Sequence, residues 1–512
     1  MGRSGGDREL TGINNLSTGV KGALDDHARM VSIGTEAGMM RGRPRRMAVA
    51  VAALVLGGCS LGPRYRRPSI PPPPAWRTPA AATMARGWPS AHWWDGFHSP
   101  ELAALMASGR TANDDLAAAI ARVREADAQV RISSAPLLPS LDGDASGARQ
   151  REISFSSPGA LLYNEFAAGL NASYELDFWG ENRAIRSAAL ASAAASRYDR
   201  ETVELTVMSD IADTYFSALA LRDRLQIARA DLASSQETLV GLETDEQAGI
   251  STALDVAQQD TVVATVAATI PPLEEQERQQ VDALAILVGQ TPQSFNVTAP
   301  GLAGIAAPAV TAGVPSQLLV RRPDVASAEE QLISANADIR AARAAFFPTI
   351  DLTASGGFES KALSSLLEPQ NRVFAISAGL TQPIFHGGQI LGEYRMSQAR
   401  YGELLADYHK AVISAFGNVE DSLAAVSDTG DQLQREQVAT DKARGAYRMA
   451  QYQFHAGTVN ILTVLSTETS LFSAEDALAQ ARLAHLQALV GLYNALGGGW
   501  SSETHDPSRH VP

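Results

Sequence analysis

A regular alternation of apolar and polar residues between Phe166 and Phe178 is the feature that most constrains how this chain folds. The even positions carry Phe, Ala, Leu, Ala, Tyr, Leu and Phe, whereas the odd positions carry Ala, Gly, Asn, Ser, Glu and Asp. A period of two predicts a strand with one apolar and one polar face. The length suits a tilted strand that crosses a bilayer. A half-buried strand of a soluble sandwich would show the same pattern, so this stretch alone leaves both interpretations open.

A second stretch with the same alternation and phase follows 208 residues later. Other landmarks recur at a similar offset, because Pro139 and Pro348 are 209 residues apart and Gly249 and Gly457 are 208 apart. A single long period predicts two copies of one structural unit. The apolar strand residues that we expect to face lipid are Phe166, Leu170, Tyr174, Leu176, Phe178, Phe374, Ile376 and Leu380.

Each copy is predicted to contain a helix, a strand hairpin, a very long helix, a tip and a return helix. Residues 181–247 contain no proline and only one glycine, which predicts a helix of roughly 100 Å. Pro271 and Pro272 are expected to kink or interrupt the return helix of the first copy. The predicted first repeat spans residues 91–300, with its hairpin at 139–178 and its tip at 249–255. The second spans residues 301–500, with its hairpin at 348–386 and its tip at 457–463.

The amino-terminal region has the pattern of an export signal that ends in a lipid attachment site. Several arginines precede the apolar run 47–56, and the chain continues as Leu56-Gly57-Gly58-Cys59. A basic segment, a short apolar segment and small residues before the cut are typical of a secretory signal. The ending resembles a bacterial lipobox, which predicts diacylglyceryl and N-acyl groups on Cys59 and no other cofactor. An ordinary signal peptide that ends near a cysteine is the alternative.

The predicted terminal segments follow from this signal. Residue 60 is a serine and not an aspartate, which favours the outer membrane over the inner membrane as the site of the lipid anchor. The expected segments are a misassigned or non-native extension at 1–38, a lipoprotein signal peptide at 39–58, a lipidated proline-rich tether at 59–90 and a disordered tail at 501–512.

The composition argues against several classes of protein. One cysteine in 512 residues excludes an internal disulfide and a cysteine-cluster metal site. A net charge of −14 argues against a nucleic-acid partner. No apolar run reaches the length of a membrane-spanning helix. The sequence contains no nucleophile elbow, phosphate-binding loop or metal-spaced histidines, and charges on long helices usually form a solvated face. The sequence therefore predicts no enzymatic activity.

The four predicted strands require more than one copy of the chain. A closed membrane barrel needs about eight strands or more. An open sheet edge in hydrocarbon leaves backbone groups unpaired at several kcal/mol each. Because three chains would supply twelve strands, the pattern predicts a homotrimer in contact with outer-membrane lipid.

The sequence resembles the TolC-like outer-membrane factors of tripartite efflux systems, nearest the lipoprotein branch of the OprM and NodT type. The resemblance covers residues 59–500. The matching stretches are Trp93–Phe97, Tyr174–Gly180, Arg321–Val325, Ala344–Pro348 and Gln382–Phe385. It implies a mainly α protein with a transmembrane β-barrel, built from a duplicated α/β repeat. The barrel would be trimeric and twelve-stranded, with four strands per chain, and a long periplasmic α-helical barrel would continue it.

The resemblance also implies a function in the bacterial outer membrane. The chain would be the passive exit duct for drugs or other small toxic solutes. An inner-membrane transporter of the RND type would drive these solutes through a periplasmic adaptor, also called a membrane fusion protein. Two alternatives stay open at this point: the outer-membrane duct of a type I protein secretion system, and a structural coiled-coil envelope lipoprotein without a pore.

The resemblance assigns roles to the two tips between the long helices. Residues at the family's adaptor-contacting positions are Gly249, Ser251, Leu254, Asp255, Gly457, Thr458 and Leu462. Physically, the glycines let the chain reverse, Ser251 and Thr458 are candidate helix caps, and the leucines are candidate apolar anchors for a partner helix. Some members carry aspartates at the periplasmic mouth after the second tip. The matching residues here are Thr463 and Ser466, which predicts a neutral mouth.

Overall fold

The structure, a computed structural model, describes residue 62, residues 65–78, 88–153, 160–310 and 315–498, and residue 500. Within these ranges, helices and strands occur in two successive sets. The first set is α1 (Pro100–Ala112), α2 (Asp114–Ser134), β1 (Ser140–Ile153), β2 (Ala160–Glu175), α3 (Glu181–Gln247) and α4 (Ala253–Leu287). The second set is α5 (Pro315–Leu318), α6 (Pro323–Ala344), β3 (Thr349–Ser360), β4 (Arg372–Thr381), α7 (Gln389–His455) and α8 (Ile461–Ala495).

The lengths of the helices confirm the duplicated repeat. Helices α3 and α7 have 67 residues each, and the return helices α4 and α8 have 35 each. A helix of 67 residues is about 100 Å long. Among the described residues, no helix combines the length and the apolar character needed to cross a membrane.

The four strands form one antiparallel sheet in the order β1-β2-β3-β4. The second strand of the first hairpin therefore pairs with the first strand of the second hairpin. The register keeps like residues on one face, because Leu170 lies opposite Gly143 and Gly356, and Ile376 lies opposite Ala354. The alternation of both repeats thus produces a single apolar face and a single polar face.

Two of the predicted strand residues, Leu176 and Phe178, lie beyond the end of β2, so their assignment to the strand is wrong. Strand β2 ends at Glu175, although the Leu176 amide still donates to the Ile350 carbonyl at 2.8 Å. The chain then turns, because the Asp177 carboxylate accepts hydrogen bonds from the first amides of α3. The second hairpin also ends earlier than the predicted 386, at Thr381.

The return helix α4 continues through Pro271 and Pro272 without interruption. Two prolines remove two backbone donors from the helix interior. Packing compensates, because Leu273 is buried against Leu221 and Leu225 of α3. The predicted interruption is therefore wrong, since tertiary contacts with the long helix hold the segment in place.

The main apolar core lies where both repeats meet the short helices. Trp93, Trp94 and Phe97, from the aromatic stretch before α1, are buried there. The Trp93 ring stacks on Tyr493 of α8 at a centroid distance of 4.9 Å. This contact brings the first residues of one repeat against the last residues of the other.

The described part of the proline-rich segment, residues 65–78, packs along the second repeat. It has neither helix nor strand, as its prolines predict. The Tyr65 hydroxyl donates to Glu329 of α6 at 3.3 Å, and Arg67 forms an ion pair with the same carboxylate. Farther along, the Trp76 ring lies against Phe416 of α7. The segment is therefore attached to the helices by its side chains. Residues 1–58 and 501–512 lie outside the described residues.

Candidate functional sites: the sheet faces and the helix tips

The apolar face of the sheet is exposed to an unusual degree. Phe374 and Ile376 of β4 expose 83% and 81% of their side chains, and Leu380 exposes 67%. Leu170 of β2 is also exposed, and Phe166 and Tyr174 are half-buried on the same face. Contiguous exposed apolar surface of this kind marks an interaction with a membrane or a protein.

The opposite face of the sheet carries hydrogen-bonded polar side chains. The Asn171 amide donates to the Asp144 carboxylate at 2.6 Å across β1 and β2. The hydroxyls of Thr353 and Ser377 lie 2.6 Å apart across β3 and β4. Such cross-strand pairs stabilise a sheet that faces water on this side.

Hydrogen bonds and a ring contact at the end of the first hairpin join the sheet to the long helices. The Asp177 carboxylate accepts from the Arg183 guanidinium at 2.8 Å as well as from the first amides of α3. The Trp179 indole donates to the Pro348 carbonyl at 2.8 Å and stacks on Phe347. These contacts tie the start of α3 to the start of β3, so the long helices leave the sheet at a defined position.

The first helix tip is a tight reversal between α3 and α4. Gly249 has a φ of +70°, and the amide of Ile250 donates to the Asp245 carbonyl at 2.8 Å, as in a Schellman ending. Thr252 and Asp255 then form a capping box, in which the Thr252 amide donates to the Asp255 carboxylate at 2.9 Å. Bonds from Thr252 lower the pKa of Asp255. The cap is therefore Thr252. The sequence predicted Ser251, and that prediction is wrong.

The second helix tip repeats this geometry between α7 and α8. Gly457 has a φ of +69°, and the Thr458 amide donates to the Gln453 carbonyl at 2.9 Å. The Asn460 side chain caps α8 by accepting from the Thr463 amide at 3.3 Å. Thr458 instead directs its hydroxyl back to Gln453, so its predicted role as the cap is wrong. It closes the end of α7.

An apolar cluster holds the two tips side by side and leaves other apolar side chains outside. Leu242 of α3 packs against Tyr447 of α7 and Ile461 of α8 in this cluster. Leu254 and Leu462, the predicted anchors, expose 65% and 49% of their side chains. The cluster packs the helices together at the tips, and the exposed leucines are available to a partner.

The residues predicted at the mouth are neutral and already hydrogen-bonded within α8. The Thr463 hydroxyl donates to the Asn460 side chain at 3.0 Å. The Ser466 hydroxyl donates to the Thr463 carbonyl at 3.2 Å. Both residues lie close to the second tip. Their role at the mouth stays a prediction.

A buried polar network that the sequence pattern does not predict lies between the long helices. Glu468 of α8 is only 2% exposed, and its carboxylate accepts from Tyr447 at 3.2 Å and from Ser235 of α3 at 3.3 Å. Burial raises the pKa of Glu468. The Gln259 side chain of α4 donates to the Ser235 carbonyl at 2.7 Å. The network links all four long helices, and a carboxylate within a largely apolar helix was its one signal in the sequence.

The predicted lipid attachment residue Cys59 lies outside the described residues. Among the described residues there is no group of three or more histidine, cysteine or acidic side chains that could hold a metal ion.

The comparisons with known proteins identify the class that this architecture defines. The model of the outer membrane efflux protein family matches residues 108–290 and 314–498. The chain belongs to this family. It is an efflux channel of the bacterial outer membrane and not an enzyme.

Individual relatives resemble the chain over almost their whole length. The pyoverdine export outer membrane protein OpmQ of Pseudomonas aeruginosa is 40% identical over 91% of this chain and 99% of its own length. The solvent efflux pump outer membrane protein SrpC of Pseudomonas putida is 35% identical over 88% and 97%. The solved outer-membrane channel OprN superposes with a TM-score of 0.81 at 27% identity, over 86% of this chain and 100% of OprN. The fold is accordingly TolC-like.

Proposed function

We propose that three copies of this chain close a twelve-stranded β-barrel in the outer membrane and form the passive exit duct of a tripartite efflux pump. One observation carries the proposal. The sheet of a single chain has two edge strands, β1 and β4, and one face that exposes Phe374 and Ile376 almost fully. The apolar face is suited to contact with lipid, but the unpaired backbone groups of the two edge strands are unstable in a membrane unless other copies complete the sheet.

The strand count and the chemistry of the two faces agree with a closed barrel. Four strands per chain give twelve in a trimer, which is within the range that encloses a water-filled lumen. The apolar face then contacts lipid, and the polar face that carries Asp144, Asn171 and Ser377 lines the lumen.

The long helices would continue the lumen away from the membrane. Each chain contributes α3, α4, α7 and α8, so a trimer has twelve such helices around the axis, the longest about 100 Å in length. A tube of this length reaches well beyond the membrane, toward partners in the periplasm. No part of it binds a cofactor or carries out chemistry in this proposal, so the driving force must come from a transporter in the inner membrane.

The exposed leucines at the helix tips are the proposed contacts with a periplasmic adaptor. Leu254 and Leu462 lie beside the turns at Gly249 and Gly457, and a helical partner would insert apolar side chains between them. The adaptor would connect the duct to a transporter of the RND type. Gly249, Gly457, Ser251, Thr458 and Asp255 would shape this surface and not bind the partner by themselves.

Drugs or other small toxic solutes are the proposed cargo. Relatives of this chain are named for solvent efflux and for the export of pyoverdine. A neutral mouth at Thr463 and Ser466 would offer such solutes no fixed charge to cross.

A lipid anchor on Cys59 fits the course of the amino-terminal segment. Gly62 lies against Arg340 of α6, so closely that an added Cβ would be 2.6 Å from the Arg340 side chain. Arg340 is close to the end of α6, directly before β3 enters the sheet. Three residues span about 10 Å, so acyl chains on Cys59 would reach the membrane at the base of the barrel. Mass spectrometry of the mature amino terminus, with Cys59→Ala as the control, tests this anchor.

Two measurements on the purified protein test the duct. We expect a particle with the mass of three chains, and stepwise ion conductance after its insertion into planar bilayers. A monomer, or a trimer without conductance, would contradict the proposal.

In cells that lack the gene, Leu254→Ser with Leu462→Ser should fail to restore resistance to toxic compounds while keeping the conductance of the purified protein. Conductance with normal resistance would exclude the leucines as the adaptor contacts.

A further inference from the structure

Basic residues lie on the apolar face of the sheet, near the ends of both edge strands that are farther from the helices. Arg149 and Arg151 lie on β1, and Arg372 lies on β4. The register places all three on the apolar face, because Arg149 is opposite Asn164 and Arg372 is opposite Phe358. Along this face of both edge strands, the apolar residues near the helices are followed by basic residues farther away.

The change occurs at the same distance from the helices in both repeats. Leu141 begins the apolar face of β1, and Arg149 follows eight residues later. On β4, Leu380 is eight residues after Arg372. Eight residues of a strand span about 26 Å, close to the height of roughly 25 Å of the apolar band of membrane barrels. The guanidinium groups thus lie at the membrane boundary that is farther from the helices.

The three arginines are exposed and have no counter-ion within the described part of the chain. The carboxylates of β1 and β3, such as Asp144 and Glu359, alternate onto the opposite face. Asn164, the residue opposite Arg149, is neutral. A basic rim without neutralising groups attracts anions at this boundary, and the anions available to it are lipid phosphates.

We propose that Arg149, Arg151 and Arg372 form a binding site for the phosphate groups of an anionic lipid in the outer leaflet. Guanidinium groups bind phosphate through two parallel hydrogen bonds, which ammonium groups cannot do. In the barrel proposed above, on which this inference rests, β4 of one copy pairs with β1 of the next. Each of the three seams between copies then combines the basic residues of two chains, so the lipid also joins neighbouring subunits.

Lipid binding to the purified trimer tests the site. The probe is bisphosphorylated lipid A, measured by native mass spectrometry against phosphatidylcholine and against lipid A from which both phosphates were removed. Wild type should retain only the phosphorylated lipid, and millimolar inorganic phosphate should not displace it. The triple variant R149S/R151S/R372S should bind roughly 10- to 100-fold more weakly, since each basic residue near an anionic surface contributes to binding.

A matched variant controls for the loss of three charges. Arg435, Lys442 and Arg448 are exposed in the second half of α7, far from the sheet, so R435S/K442S/R448S should bind lipid A as wild type does. Equal binding by the R149S/R151S/R372S protein and wild type, or equal binding of the dephosphorylated lipid, would overturn the proposal. So would displacement by inorganic phosphate.

Conductance separates this proposal from the one it rests on. If the R149S/R151S/R372S trimer conducts normally but has lost lipid A, the lipid site is supported independently. If wild type neither forms a trimer nor conducts, both proposals fail. If wild type conducts and binds no lipid A, only the lipid site fails. The single variants R149S and R372S, with intermediate losses expected, keep the test valid if the triple variant does not assemble.

Discussion

Asp213 is a largely buried carboxylate in the long helix α3, and its ionisation is strongly perturbed. Burial raises its pKa to about 7, with a smaller contribution from the nearby Asp210. One of its carboxylate oxygens, Oδ1, is buried and has no hydrogen-bond partner among the described residues. The folded chain therefore holds a proton on Asp213 at pH values where the unfolded chain has lost it.

The stability of the protein should consequently depend on pH through Asp213. The unfolded pKa is 3.8 and the folded pKa is about 7, so the contribution to stability is complete below about pH 4 and is lost as the pH rises through 7. The shift of about 3 units corresponds to about 4 kcal/mol. Asp213→Asn should remove this dependence, and thermal unfolding between pH 4 and 8 should show a flatter profile than wild type. An unchanged profile would show that Asp213 is ionised in the folded protein.

Tyr447 makes the second prediction at this scale, because it donates to the buried Glu468. Tyr447→Phe leaves that carboxylate with one donor fewer, and we expect the free energy of unfolding to fall by about 1–3 kcal/mol. Tyr452, which is 77% exposed on the same helix, provides the matched control, and Tyr452→Phe should be neutral. Chemical denaturation of both variants checks this. Equal effects would mean that the hydroxyl of Tyr447 contributes nothing.

At the scale of elements, the glycines at the tips were predictable and the caps were not. Gly249 and Gly457 interrupt long glycine-poor helices, so the sequence alone locates both reversals. Ser251 and Thr252 are both good capping residues, and only the backbone turn after Gly249 decides that Thr252 is the cap. Asn460 takes this role in the second tip for the same reason.

The sequence pattern likewise predicts the strands but not the residues at which they end. The alternation continues from Glu175 through Phe178, so a period of two cannot show where β2 ends. Asp177 ends it, because its carboxylate is needed by the first amides of α3. The sequence contained the aspartate but gave no sign of which donors it would meet. Periodicity in the sequence does not predict contacts between distant segments, such as the hydrogen bond from Ser235 to Glu468.

Replacing a tip glycine by alanine should lower the stability of the protein, whereas replacing a glycine inside a helix by alanine should raise it. No atom lies within 4 Å of a Cβ added at Gly249 or Gly457, so the positive φ alone opposes a side chain. Gly249→Ala should therefore cost about 1–2 kcal/mol. Gly241, inside α3, also has free space, and Gly241→Ala should stabilise by about 0.5–1 kcal/mol. Thermal unfolding of each variant measures the sign, and a stabilised Gly249→Ala would contradict the left-handed turn.

At the scale of the whole molecule, the sheet and the helices impose different requirements on assembly. The helices bury a large apolar core within one chain, where Trp93 meets Tyr493. The sheet has no such core, since β4 is exposed along its whole length. The helices therefore have an apolar core within one chain, whereas in the proposed barrel the sheet depends on lipid on one face and on neighbouring strands at both edges.

Neighbouring residues of β4 provide the sharpest test of this assembly. Ile376 lies halfway between Leu380 and Arg372 on the apolar face, and Ser377 follows it on the polar face. In the proposed barrel, Ile376→Arg places a charge near the middle of the bilayer at a cost of about 2–4 kcal/mol, whereas Ser377→Arg places it in water. We expect Ile376→Arg to reduce the amount of membrane-inserted trimer and its resistance to heat in detergent. Ser377→Arg should assemble normally and shift the ion selectivity of the conductance toward anions, because it adds a positive charge to the lumen. Normal assembly of Ile376→Arg together with failure of Ser377→Arg would reverse the assignment of the two faces and exclude this barrel.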